Sequence, residues 1–430
     1  MLSPATPAWG RNRARSITLA LLILAALSVA ATAATSAASA RSVIAHAATY
    51  RQQCPERFPA QRDPSNPLDL PAAPGSDPLD GARFFVPGPA HGSAAAAIAQ
   101  SLGLNPEKLP SGESWSSFTS DFTDGPLAAR AASTGGLARD VTELSKIASQ
   151  PEAQRISIYS EGGGPGAIFA QTEKIFCQNM TADPGSIPVF NTYFLHPALG
   201  GCPTPAAVRA YGPTFRRRVG EMAEATDRRP AVFLLELDAI GSSSCIARDG
   251  AMPEWEADLR YEMNAMQALP HTVVYVEAGY SDGNSVGYTA QVLSAIGVNN
   301  IRGFFTNDTH ENWTINEVNW ATKVSDRLGG QIHFIVNTAD NGQGALINHN
   351  RVHNGNEDLC NAPGRGLGPR DTTDTGFPLV DAYLWTHPPG NSSGHCNGGP
   401  SGGVFWPARA EGEAQRANAQ LGPCFPSLPY

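Results

Sequence analysis

Seven short runs dense in Val, Ile, Phe and Tyr, at 155–159, 187–196, 231–240, 271–280, 301–307, 331–338 and 380–387, alternate with stretches of helical length. That alternation limits the fold more than any other feature of the chain. Helix candidates among the intervening stretches are 206–225, 254–269, 285–296 and 312–328. A strand, a helix and a further strand in succession make the strands parallel, with the helices packed outside them. About seven such units in one region favour a closed or nearly closed β/α barrel. A doubly wound open sheet is the alternative, but no Gly-rich dinucleotide fingerprint supports it.

The N-terminus sets the compartment. Arg11, Arg13 and Arg15 precede the apolar run 17–30, and small residues follow to Ala40, with an Ala-x-Ala pattern at Ala38 and Ala40. This is the layout of a signal peptide over 1–40. The apolar run is shorter than the ~20 residues that span a bilayer, so the expectation is an extracellular protein with no stable membrane span after cleavage. A Pro-rich linker over 41–78 and one large domain over 79–430 complete the expected organisation. The formal net charge of −9, without a local Lys/Arg cluster, argues against nucleic acid as a partner. Seven cysteines in an exported chain read as disulfides, and none forms a CxxC pair, which argues against a structural zinc site. The odd count leaves one thiol over, and Cys54 and Cys424 are free to join each other.

Polar residues gather where the strand runs end: Glu161, His196, Asp238, Glu277 with Tyr280, Asn307 with Asp308 and His310, Asp340 with Asn341, and His387. In a β/α barrel these ends form one face, where active sites are built. Asp238 stands out because it lies in the apolar segment AVFLLELDAI, where a carboxylate is costly to bury without a purpose.

The segment CNAPGRGLGPRDTTDTGFPLVDAYLWTHPPG at 360–390, followed by HCNGGPSGGVFWP, resembles the C-terminal signature of glycoside hydrolase family 6. LLELDAI, VVYVEAGYSDG, QIHFIVNTADNGQG and the opening GARFFVPGPAHGSAAAA resemble further segments of that family. The resemblance implies a distorted, seven-stranded parallel β/α barrel and an extracellular β-1,4-glucanase that works by inversion, without metal or cofactor; the expected partner is a polysaccharide or oligosaccharide, and the expected state a monomer. It places the general acid on Asp238, whose apolar surroundings are expected to raise its pKa. It pairs Cys202 with Cys245 and Cys360 with Cys396. Candidate substrate-binding residues are Tyr280, Asn307, Trp385, His387, Asn391 and Ser393.

The departures from the family pattern concentrate on the catalytic face. Ser393 stands where the family carries its basic aspartate, Asn391 where it carries a glutamate, and no Asp or Glu occurs from 382 to 410. A serine hydroxyl does not hold a water proton at neutral pH. Gly200 and Gly201 replace the carboxylate expected before Cys202. Glu277, Tyr280 and Asp340 replace an aspartate, a histidine and an arginine, and ISIYSEG lacks the strand tryptophan. Three functions follow: a hydrolase whose water is activated by another carboxylate such as Glu161, Asp282 or Asp308, a silent barrel that binds polysaccharide, or an enzyme for a different glycan. Other motifs are weaker. Ser242 to Ser244 lack a nucleophile elbow, His349 and His353 lack the zinc-protease glutamate, and the Gly-rich loop after Glu161 has no phosphate-binding Lys.

Overall fold

A computed structural model describes residues 76–88, 93–105, 135–159, 164–183, 185–345 and 360–423. Its strands are β1 (Gln154–Ser157), β2 (Val189–Tyr193), β3 (Ala231–Leu235), β4 (Thr272–Glu277), β5 (Gly303–Thr306), β6 (His333–Asn337) and β7 (Val380–Leu384). They form one sheet in sequential order, every pair parallel, curled into a distorted α/β barrel. Six of the predicted runs enclose their strands, and the seventh overlaps β1, which begins one residue earlier.

The described helices are α1 (Ser93–Ser101), α2 (Gly135–Ala148), α3 (Ala167–Ala182), α4 (Leu195–Leu199), α5 (Pro205–Thr226), α6 (Ser243–Arg248), α7 (Met252–Gln267), α8 (Val286–Ile296), α9 (Thr314–Arg327) and α10 (Pro407–Gln415). The four predicted helices are α5, α7, α8 and α9. Local chemistry sets their ends. Thr204 caps α5 by accepting from Ala207 N at 3.2 Å, with Pro205 in the first turn. Ser285 caps α8 in the same way, and Gly297, at φ 86°, ends it in the left-handed conformation that glycine adopts without strain. Among the described residues no helix is long and apolar enough to cross a membrane.

Alternate strand residues build two layers. Phe233, Leu235, Val274, Val276, Phe304 and Phe334 point outward into the helices. Val232, Leu234, Val273, Tyr275, Phe305, Ile335 and Leu384 fill the barrel. Each fully buried side chain of this size stabilises the fold by ~1.5–3 kcal/mol, so Phe233→Ala would open both the strand and its helix seam.

Between β1 and β7 no ladder is described; a single backbone hydrogen bond, Ala153 N to Trp385 O at 3.2 Å, crosses the seam. A separate cluster of α1, α2 and α10 residues with Leu367 and Trp385 covers it. At the opposite end from the candidate site, Asp381 accepts from Arg302 Nε and Nη2 at 2.6 and 2.7 Å and from Tyr275 Oη at 2.6 Å, and lies 2.7 Å from His333 Nδ1. Burial works against this carboxylate, but Arg302 and His333 outweigh it and hold Asp381 below its ordinary range.

Candidate active site at the carboxyl ends of the strands

The chain leaves β3 through an unusual turn. Glu236 and Asp238 have φ of 56° and 62°, a region that non-glycine residues enter only at a cost of about 1–3 kcal/mol and that clusters at functional sites. This corrects the expected apolar setting of Asp238: β3 has already ended at Leu235, and the Asp238 side chain is 22% exposed at the rim. The buried carboxylate of the segment is Glu236. It accepts from Phe194 N at 3.0 Å and Leu195 N at 2.7 Å, and burial pushes it up to about 7.

Asp238 is held by neighbours from other strand ends. Thr309 Oγ1 donates to its Oδ1 at 2.9 Å, and His196 Nδ1 on α4 lies 3.6 Å from its Oδ2. Behind the turn, Glu277 accepts from Ile240 N at 2.7 Å, Gly241 N at 3.1 Å and Gly279 N. Burial first, and the Asp238 charge second, raise Glu277 to about 8. Along β1 and β2, the Arg155 guanidinium lies 5.6 Å from the Tyr193 ring centre, and that ring is 5.9 Å from His196.

After β4 and β5, Tyr280 stacks on the His310 imidazole with ring centres 3.3 Å apart. Gly283 permits this, since a Cβ there would meet the Tyr280 ring at 2.2 Å. His310 Nδ1 contacts Asp282 Oδ1 at 3.0 Å. Asn307, at φ 69°, is wholly buried and spends its amide on Asn312 N, Asn312 O and Asn337 O, which fixes the β5 turn. Asp308, the next residue, accepts from Thr386 Oγ1, with Asn191 Nδ2 at 3.5 Å.

The β6 and β7 ends are built differently. Asp340 Oδ2 faces His387 Nε2 and Arg409 Nη2, each at 3.5 Å, and Arg409 Nε lies 2.7 Å from Glu413 Oε1. Burial opposes charge on Asp340, but His387, Arg409 and Arg365 outweigh it and lower its pKa. Burial likewise works against the His387 cation, and Asp340 reverses that. Ser393 is exposed, and its N–H donates to Asn361 Oδ1 at 2.8 Å. Asn391 sits on the same loop, bridged to Phe405. Trp385, expected among the substrate-binding residues, lies away from the site: it is 0% exposed, its Nε1 donates to Pro369 O at 3.1 Å, and its ring fills the seam cluster.

The strand ends thus bring Asp238, Glu277, Tyr280 and Asp308 onto one face with His387. Thr309, Tyr193 and Arg155 belong to this face and were not among the residues singled out from the sequence; Thr309 could have been, since it continues the polar run Asn307-Asp308. Glu161, His349 and His353 lie outside the described residues. Cys202–Cys245 and Cys360–Cys396 are formed. Cys177 on α3 is also disulfide-bonded, so it is not the spare thiol. Among the described residues no group of three or more His, Cys, Asp or Glu is placed to hold a metal.

Known proteins resemble this chain in sequence and in fold. Endoglucanase A of Cellulomonas fimi is 29% identical over 269 residues, 62% of this chain and 54% of that protein. The chain therefore spans little more than half of that relative. Endoglucanase 1 of Streptomyces sp. (strain KSM-9) is 29% identical over 273 residues, 62% of this chain and 69% of its own. The structure of the endoglucanase Cel6 from Mycobacterium tuberculosis, in complex with methyl-cellobiosyl-4-deoxy-4-thio-β-D-cellobioside, shares the fold with a TM-score of 0.60 at 24% identity, over 79% of this chain and 99% of that one. The model of glycosyl hydrolases family 6 matches residues 200–417, just over half of the chain and the whole stretch from the β3 helix crossover to α10, and the chain belongs to that family.

Proposed function

We propose that this chain is a secreted, cellulase-type glycoside hydrolase that cleaves β-1,4-glucan with inversion, and that Asp238 is its general acid. The observation that carries the reading is the Asp238 carboxylate at the rim of the strand-end face, with Thr309 on one oxygen and His196 beside the other. A carboxyl group fixed this way can hand its proton to the glycosidic oxygen as the bond to the anomeric carbon breaks. Family membership and the endoglucanase relatives support the substrate class. The disulfides support an oxidising compartment. Inversion needs a second group to take a proton from the attacking water, and Ser393 has no such capacity.

A second reading, a silent barrel that binds polysaccharide, is favoured by the absence of any carboxylate from 382 to 410. Hydrolysis of soluble β-1,4-glucan and cello-oligosaccharides by the purified chain and by Asp238→Asn separates the two. The expected result is turnover by the parent chain, α-configured products and loss of turnover in the variant. Glucan binding without turnover in either protein would replace the hydrolase with the silent barrel.

A further inference from the structure

Resting on that reading, we infer that Asp308, at the end of β5, takes the proton of the attacking water in place of the Ser393 position, and that Asn191 on β2 helps to hold that water. Asp308 is 2% exposed. Its Oδ1 is occupied by Thr386 Oγ1, with Asn191 Nδ2 at 3.5 Å, whereas its Oδ2 is buried with no hydrogen-bond partner. Asn191 Oδ1 is in the same condition. The orientation of that amide is not arbitrary: its Nδ2 donates at 2.8 Å to the Thr386 carbonyl, which can only accept. Two neighbouring side chains, in contact through Asn191 Nδ2 and Asp308 Oδ1, thus each keep a buried acceptor without a donor, in a protein interior where most buried polar groups are paired. In this proposal one water gives one O–H to Asp308 Oδ2 and the other to Asn191 Oδ1.

The placement suits an inverting reaction. Asp308 is the chain neighbour of Thr309, which touches Asp238 Oδ1, so acid and acceptor are linked through one turn without sharing a hydrogen bond. As the water oxygen bonds to the anomeric carbon, its proton passes to Asp308 Oδ2. The bond from that carbon to the leaving oxygen breaks, and Asp238 supplies the leaving oxygen with a proton. One water is consumed, and both carboxyl groups return to their starting states by exchange with solvent.

Charged groups around Asp308 come from four strand ends: His387 after β7, Arg155 on β1, Asp238 after β3 and Glu277 on β4. Burial raises Asp308 to about 6, with His387, Thr386 and Arg155 holding it down. The acid limb of the rate profile therefore belongs near that pH, with activity lost below it as Asp308 is protonated.

The test uses the full chain on soluble β-1,4-glucan. Asp308→Asn and Asp308→Ala are expected to lose ~10²–10⁴-fold in kcat while keeping the circular dichroism and melting profile of a folded barrel. Azide, a nucleophile that needs no base, is expected to restore turnover in Asp308→Ala and to leave an α-glycosyl azide. Thr386→Val, which removes the donor to Oδ1, is expected to move the acid limb to higher pH, and this reading stands even if the Asp308 variants fail to fold. A parent chain that turns over, with Asp238→Asn inactive but Asp308→Asn within threefold of the parent, would overturn this inference alone. So would a folded, inactive Asp308→Ala that azide does not rescue, or a Thr386→Val limb that stays in place. A parent chain without turnover would overturn it together with the hydrolase reading.

Discussion

The two sides of the strand-end face hold their carboxylates by opposite means. From β3 to β5, Glu236, Glu277 and Asp308 take hydrogen bonds from backbone N–H groups and neutral side chains, and Thr309 serves Asp238 in the same way. From β6 to α10, Asp340 and Glu413 face His387 and Arg409. A neutral donor orients a carboxylate and lowers its proton affinity by less than burial raises it, which is why Glu277 and Asp308 still rise to about 8 and 6. A cation partner ties the carboxylate into an ion pair, which lowers Asp340, while burial still pushes Glu413 up to about 7. One side is therefore equipped to move protons and the other to hold the β7 loop in place.

The largest effect expected from this contrast is on the proton-moving side. Asp238→Ala should lower kcat by ~10²–10⁴-fold with little change in melting temperature, because the side chain lies at the rim and supports no core packing. Steady-state rates on cello-oligosaccharides read the first quantity and a thermal melt the second. A variant that lost stability instead would place Asp238 on the structural side of the comparison.

Arg409→Met should do the reverse. The Arg409 side chain is 10% exposed, and its removal takes the ion-pair partner from buried Glu413 and leaves Asp340 with His387. Breaking a buried pair this way costs ~3–5 kcal/mol. Urea unfolding should show a loss of that order, with activity retained at low temperature. A smaller effect is expected from Thr309→Val, which removes one hydrogen bond to a partly exposed carboxylate. A loss of about 1.4 kcal/mol in transition-state stabilisation would lower kcat/KM about tenfold, and unchanged kinetics would show that His196 alone suffices to place Asp238.

The sequence made the scaffold legible and left much of the site obscure, for separable reasons. Strands such as AVFLL at 231–235 announce themselves because every residue is buried between two apolar layers, and Thr204, Ser285 and Gly297 mark helix ends by local hydrogen bonding. The turn after β3 was not legible. Regular alternation would put Glu236 and Asp238 on the same side of the strand, but two positive φ values redirect them, and neither side chain signals that conformation. Trp385 stood among the expected substrate-binding residues because an aromatic at a strand end is ambiguous until its cover is known. That cover is α1, α2 and α10, and the first two lie more than two hundred residues earlier in the chain. The exposure of Ser393 could not be inferred either, since Asn361 anchors its loop from the far side of β7.

The pH dependence of stability gives the gentlest test of the neutral-donor side. Glu236 is coupled to Glu262, also wholly buried, through the Thr192 hydroxyl, which accepts from Glu236 N at 2.9 Å and donates to Glu262 Oε1 at 3.0 Å. Burial raises Glu236 to about 7, and burial with the Glu236 charge raises Glu262 well above its ordinary value of 4.5. A carboxyl group whose folded pKa lies above its unfolded one binds its proton more tightly in the folded chain. Its contribution to stability is then complete below about 4.5 and is lost as pH rises through about 7. Asp340 and Asp381 have the opposite sign: both are depressed, and their contributions disappear as pH falls below 3.8 through their folded values. The melting temperature is thus expected to decline between pH 5 and pH 8. Glu262→Gln should flatten that decline, because the glutamine keeps the contact with Thr192 and cannot ionise. A slope equally steep in the variant would mean that other buried acids, Glu277 and Glu413 foremost, set the pH response of the fold.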